Sequence, residues 1–118
     1  MRKYDPRIMA HTDHLMEEAA RCFALLSDPT RLRILSFLLE RDEASVTEVA
    51  QAIGVNRTNV SQHLSRLLGA GMVARRREGH SIHYRVIDEM LKPLCDLVCS
   101  NLEARTGGLV AHLEERAR

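Results

Sequence analysis

The chain has 118 residues, with 17 Lys and Arg against 16 Asp and Glu for a net charge of +1, an aromatic content of 3% and three cysteines. That length suits one domain whose core is built from Leu, Ile, Val, Ala and Met. No apolar run approaches the roughly 18 residues of a membrane span, the start MRKYDPRIMAHTDH has no secretory h-region, and an odd cysteine count argues for thiols over a disulfide framework, so a cytoplasmic protein away from the membrane is expected.

In chain order, the spacing predicts a first helix from about Thr12 to Leu26, with Leu15, Ala19, Cys22, Phe23 and Leu26 along one face. Asp28 then caps a second helix that has Pro29 in its first turn, with Leu32, Leu35, Leu38 and Leu39 facing inward and an end near Arg41. The stretch from Ser45 to Leu68, SVTEVAQAIGVNRTNVSQHLSRLL, reads as two short helices joined at Gly54. Ser45 and Glu48 form a capping box, small Ala50 lets the second helix cross closely, Gly54 supplies a positive φ, and Val55 and Val60 wedge between the helices. Asn56 caps the second helix, on which Val60, Leu64 and Leu67 make an apolar stripe. The opposite face carries Thr58, Asn59, Ser61, Gln62, Ser65 and Arg66, side chains able to reach base edges or phosphates in a major groove. This is a helix-turn-helix over residues 45–69, and it points to DNA.

Residues 72–86 follow as a hairpin wing. Ile82, Tyr84 and Val86 alternate with Ser81, His83 and Arg85, and the turn is Glu78-Gly79-His80. From Asn56 to Val86 the charged residues are Arg57, Arg66, Arg75, Arg76, Arg77 and Arg85 against Glu78 alone, so the positive charge of a nearly neutral chain is concentrated on the reading helix and wing. Arg57, Arg66, Arg75, Arg76, Arg77 and His80 are the candidates for phosphate or flanking contacts, and Ser61 and Gln62 for base contacts. Asp88 can cap a last helix to about residue 106, with Leu91, Leu94, Cys95, Val98, Cys99 and Leu102 on neighbouring rows and Pro93 in its first turn. Gly107-Gly108 is expected to break it before a final short turn. The fold class is mainly α with a small β-hairpin, one winged helix-turn-helix domain over 1–118. Long apolar helices at both ends suggest that a second copy completes a modest core, so a homodimer through residues 12–26 and 88–106 is expected. No glycine-rich phosphate loop, nucleophile elbow or HExxH is present, so the chain is not read as an enzyme.

The element order, with LSDPTRLRIL at 26–35, SQHL at 61–64 and REGHSIHYRV at 77–86, resembles the ArsR/SmtB family of bacterial winged-helix repressors over about residues 15–104. The resemblance implies a dimer held by the first and last helices that binds an imperfectly palindromic operator and releases it when an inducer arrives, most often a metal or metalloid ion. Other members sense oxidants or reactive sulfur through cysteines, and some have no known ligand. Of the family's familiar sites, the Cys-x-Cys before the reading helix corresponds to Ser45 and Thr47. The Asp-x-His of the last helix keeps Asp88 but has Met90 in the histidine position, with Asn101 and Ala104 at the later pair. A four-ligand zinc site of that type does not fit these residues, and Asp88 reads better as a cap.

What remains is Cys22 on the first helix and Cys95 with Cys99, one turn apart, on the last. Three converging sulfurs would suit a soft ion such as As(III), Sb(III), Cd²⁺ or Pb²⁺. The same cysteines on apolar stripes also fit plain core packing, or a thiol-based redox or sulfur sensor. A Cys95–Cys99 disulfide is disfavoured by helix geometry. His11 and His14, with His112 near the chain end, offer a second ligand set for Ni²⁺ or Zn²⁺, against the alternative that they are simply solvated.

Overall fold

The computed structural model describes residues 6–117, with side chains over 12–107 and at Arg116. Asp28 accepts hydrogen bonds from the backbone N–H groups of Thr30 (2.7 Å) and Arg31 (3.3 Å), which separates α1 (Pro6–Leu26) from α2 (Pro29–Arg41). Pro29 occupies the first helical position, where its missing N–H leaves no bond unmade. Ala44–Ser45 forms a two-residue strand β1, and Ser45 also caps α3 (Val46–Ile53). The capping box is complete: the Glu48 N–H donates to Ser45 Oγ (3.2 Å) and the Ser45 N–H donates to Glu48 Oε1 (3.1 Å). Gly54 ends α3 in the left-handed region at φ 72°, and the side chain of Asn56 caps α4 (Arg57–Gly69) by accepting from the Asn59 N–H at 2.8 Å.

Strands β2 (Val73–Glu78) and β3 (Ser81–Val86) pair antiparallel from Val73↔Val86 to Glu78↔Ser81. Gly79-His80 is thus a two-residue loop, with a positive φ at Gly79, as a type II′ hairpin turn requires. The hairpin is one strand larger than the sequence suggests, because β1 adds to β3 through Ala44↔Tyr84 and Ser45↔His83, giving the order β1-β3-β2. Helix α5 spans Leu91–Ala117. Asp88 lies one turn earlier, where its carboxylate accepts from the Met90 N–H at 3.0 Å and its carbonyl from the Leu91 N–H. Pro93 falls among the first helical positions, which have no intrahelical N–H bond to lose.

Two expectations change. α5 does not break at Gly107-Gly108 but continues through them; a helical glycine costs about 1 kcal/mol relative to alanine yet keeps its backbone hydrogen bond. On α2 the buried side chains are Ile34, Leu35 and Leu38, whereas Leu32 is exposed. The core joins these three to Ala44, Val49, Ala50, Val60, Leu64, Leu67, Met72, Val73, Tyr84 and Leu91, so every fully buried apolar residue described lies between positions 34 and 91. This is a winged helix-turn-helix: five helices among the described residues and a three-stranded antiparallel sheet. No helix among the described residues is long and apolar enough to cross a membrane.

Candidate nucleic-acid interface

Helix α4 presents its polar face because its other side is anchored. Val60, Leu64 and Leu67 are fully buried, and the 3.6-residue period then turns Arg57, Thr58, Asn59, Ser61, Gln62, Ser65 and Arg66 outward, all exposed. Val46, Arg57, Thr58, Ser61 and Gln62 line one open depression of about 600 Å³. Val46, at the start of α3, is the member of this group that sequence reasoning passes over; its position directly after a cap residue was the available signal. His63 is half-buried on the helix flank and its charge acts on Asp28. Burial opposes ionisation of Asp28, but the Thr30 and Arg31 N–H groups, with His63 and Arg31, outweigh it and hold the carboxyl below its usual value.

The wing carries Arg75, Arg76, Arg77 and, at its tip, His80, all exposed. Cross-strand partners share a face of a sheet, so Arg75 and Arg77 lie on the side of Tyr84 and Ile82 while Arg76 lies with His83 on the other. Arg76 is not a free cation. Its Nε–H donates to both carboxylate oxygens of Glu43 (2.9 and 3.1 Å), Nη2 also bonds Glu43 Oε1, and Nη1 pairs with Glu78 at 2.9 Å. The hydrogen bond from Arg76 holds the Glu43 carboxyl below its ordinary range, and the two acids raise the arginine further. The side-chain acceptor that sequence reasoning misses is therefore an acid: Glu43 stands 33 residues away in the chain, next to β1.

The cysteines divide. A groove of about 320 Å³ runs between Phe23 and Leu26 of α1, Leu32 and Ser36 of α2, and Leu94, Cys95, Val98 and Cys99 of α5. Cys95 is half-buried and Cys99 exposed; burial, with Cys99 and Asp96 close by, pushes the Cys95 thiol above its usual pKa. Cys22 instead packs against the core beside Leu25 and Leu26 and does not line the groove. The expected convergence of three sulfurs is not met within one protomer, and among the described residues no three His, Cys, Asp or Glu side chains gather as a metal site. The reason is directional: Cys22 turns toward the core, and α5 presents Cys99 outward. His14 is exposed on α1, and the side chains of His11 and His112 lie outside those described.

The helix-turn-helix domain family matches residues 26–76. The chain is 40% identical over 66% of its length to the probable mercury resistance operon repressor of Streptomyces lividans, spanning 62%, less than two thirds, of that relative. It superposes with a TM-score of 0.68 on a homodimeric winged helix-turn-helix DNA-binding domain from Mycobacterium bovis described as a possible ArsR-family transcriptional regulator, at 33% identity over 87% of this chain and 91% of that one. The AntR antimony-specific transcriptional repressor also superposes with a TM-score of 0.68, at 29% identity over 90% of this chain and 93% of that one.

Proposed function

Because this chain belongs to the ArsR/SmtB family of winged helix-turn-helix transcriptional regulators, we propose that it is a homodimeric repressor that binds double-stranded operator DNA and releases it when a thiophilic metal or metalloid ion reaches the cysteines of α5. The observation that carries the DNA reading is the two-sided character of α4: one side fully buried, the other a continuous exposed row of hydrogen-bonding side chains beside a basic wing. In a dimer joined through α1 and α5, two copies of α4 enter successive major grooves about 34–36 Å apart. Arg57, Arg66, Arg75 and Arg77 neutralise phosphates, which fixes register, and Ser61 and Gln62 read base edges.

The dimer is supported by side chains the protomer leaves uncovered. Leu15, Met16 and Phe23 of α1 and Leu97, Val98 and Leu102 of α5 are exposed, with Phe23 at 62% and Leu97 at 70%. Large apolar side chains ranged along two end helices mark a surface that another copy covers. The sensor is read as the Cys95–Cys99 pair because it borders the groove between α1, α2 and α5 and is accessible. Two sulfurs from one protomer leave a soft three-coordinate ion one donor short, so the remaining donor comes from the second copy. Cys22 stays as core packing in this reading. The mercury and antimony repressors among the relatives favour a soft ion over Ni²⁺ or Zn²⁺ at the histidines. Uptake displaces thiol protons, so it strengthens as pH rises toward the elevated Cys95 value. Release requires only that the ion favour a dimer geometry whose reading helices miss the groove spacing, a differential of about 1–3 kcal/mol.

Fluorescence anisotropy of the reduced protein on the DNA upstream of its own coding sequence tests this, repeated with As(III), Sb(III), Cd²⁺, Zn²⁺ and Ni²⁺ and then with peroxide. Release by a soft ion that is lost in Cys95→Ala and Cys99→Ala but kept in Cys22→Ala supports the reading. Release by Ni²⁺ or Zn²⁺ alone moves the sensor to the histidines, and release by peroxide alone makes it a redox repressor.

A further inference from the structure

The connector between α2 and β1 contains a backbone anomaly. Asp42 sits at φ 61°, ψ −54°, the one positive-φ residue other than glycine among those described, and the Glu43 N–H bonds back to the Arg41 carbonyl at 2.6 Å. A hydrogen bond spanning two residues around such dihedrals is the classic γ-turn, rare and strained for an L-residue, and strain of this kind persists only where the surroundings hold it in place. Glu43 follows this turn directly, and its side chain meets the wing. Its carboxylate takes the Arg76 guanidinium in the forked geometry that an arginine also offers to a phosphate, and Glu78 takes the remaining edge.

We propose that Glu43 is an internal counter-ion that occupies Arg76 in the place of an operator phosphate, so that the wing docks with Arg75 and Arg77 and withholds its third arginine from DNA. This rests on the DNA-binding reading above. Arg75 and Arg77 share the opposite face of β2, so occupation of Arg76 leaves them free. The effect is to lower sequence-independent attraction to the duplex: each phosphate neutralised contributes about 0.9 to the slope of log affinity against log salt and carries no base information. An acid placed here weakens binding to all DNA without touching the reading helix.

The test combines the free protein with its DNA complex. In free wild type, nitrogen-15 NMR should show a slowly exchanging Arg76 Nε–H signal that disappears in Glu43→Gln. Salt titrations by anisotropy, on the upstream duplex and on a scrambled duplex of equal composition, should then give Glu43→Gln a slope steeper by about 0.9 on both. Between about 50 and 200 mM salt that is a further 3- to 4-fold loss of affinity. Arg76→Ala alone should leave the wild-type slope in place, and Arg76→Ala added to Glu43→Gln should restore it. An unchanged slope in Glu43→Gln, with DNA binding intact, overturns the counter-ion role and makes the pair a structural clamp. A flatter slope in Arg76→Ala alone also overturns it, because the arginine would then already reach phosphate. A wild type that keeps the protected Arg76 signal but binds neither duplex overturns the DNA reading, and the proposal falls with it.

Discussion

The middle of this chain and its two ends are stabilised in different ways. Residues 34–91 bury their apolar side chains among themselves, whereas α1 contributes only partly buried Cys22, Leu25 and Leu26 to that core, and α5 beyond its first residues leaves Leu97, Val98 and Leu102 in the open. The unit that carries α4 is thus packed within one chain, whereas the end helices keep large apolar side chains uncovered. The lesson is that presentation of α4 and spacing between two copies of α4 are separable properties, governed by different residues.

The largest effect that can break this contrast is a core truncation. Leu64→Ala removes a fully buried side chain behind the reading face and should destabilise the protomer by about 2–5 kcal/mol in urea or thermal melts, with DNA binding lost alongside. Leu97→Glu, at an exposed site, should leave the protomer's far-UV spectrum unchanged and the monomer's own unfolding free energy within about 0.5 kcal/mol while converting dimer to monomer in sedimentation. If Leu97→Glu unfolds the protomer, the separation is wrong.

Next in size is Gln62→Ala. Gln62 is exposed on the reading face with no role in the core, so its loss should relax discrimination between cognate and altered operators by about 1–3 kcal/mol with the melt unchanged. Competition binding against single-base operator variants measures it. Asn56→Ala deletes the α4 cap and should cost about 1 kcal/mol of stability, the reverse pattern.

Smaller still is the end-helix test. Gly107 is helical and has open space around its missing side chain, so Gly107→Ala should raise helicity and add up to about 1 kcal/mol to α5. No gain in circular dichroism would mean that the helix stops there after all. The weakest effect is titration. Asp28, Glu43 and Glu48 are each held below their ordinary values, Glu48 chiefly by the Ser45 N–H, so the unfolded chain binds protons before the folded one does. Their contribution is complete above the unfolded carboxylate range and is lost as pH falls through the lowered folded values, so thermal midpoints should drop on acidification below about pH 4.5. Glu48→Gln should flatten part of that drop.

The features legible in the sequence are those encoded by near neighbours. Asp28, Ser45 with Glu48, Gly54 and Asn56 each act within four residues, so the caps and the turn between α3 and α4 can be read directly. The polar row on α4 and the alternation in β3 follow from periodicity. Strand β1 escapes because two residues show no period and their bonds are to a strand some forty positions later. The occupation of Arg76 escapes for the same reason, since a run of three arginines says nothing about an acid 33 residues upstream. Gly107-Gly108 misleads because a modest propensity penalty is readily outweighed over a long helix.

Helix α5, unbroken over 27 residues, is about 40 Å long and is rooted in the core chiefly by Leu91 at its first turn. Such a rod is a lever. A tilt of about 5° at its root sweeps the far end through about 3.5 Å, so a small rearrangement beside Cys95, close to the pivot, is geometrically amplified along the rod. In the dimer proposed above, an effector acting there would not have to reshape either DNA-reading unit; it would have only to turn two stiff arms against each other.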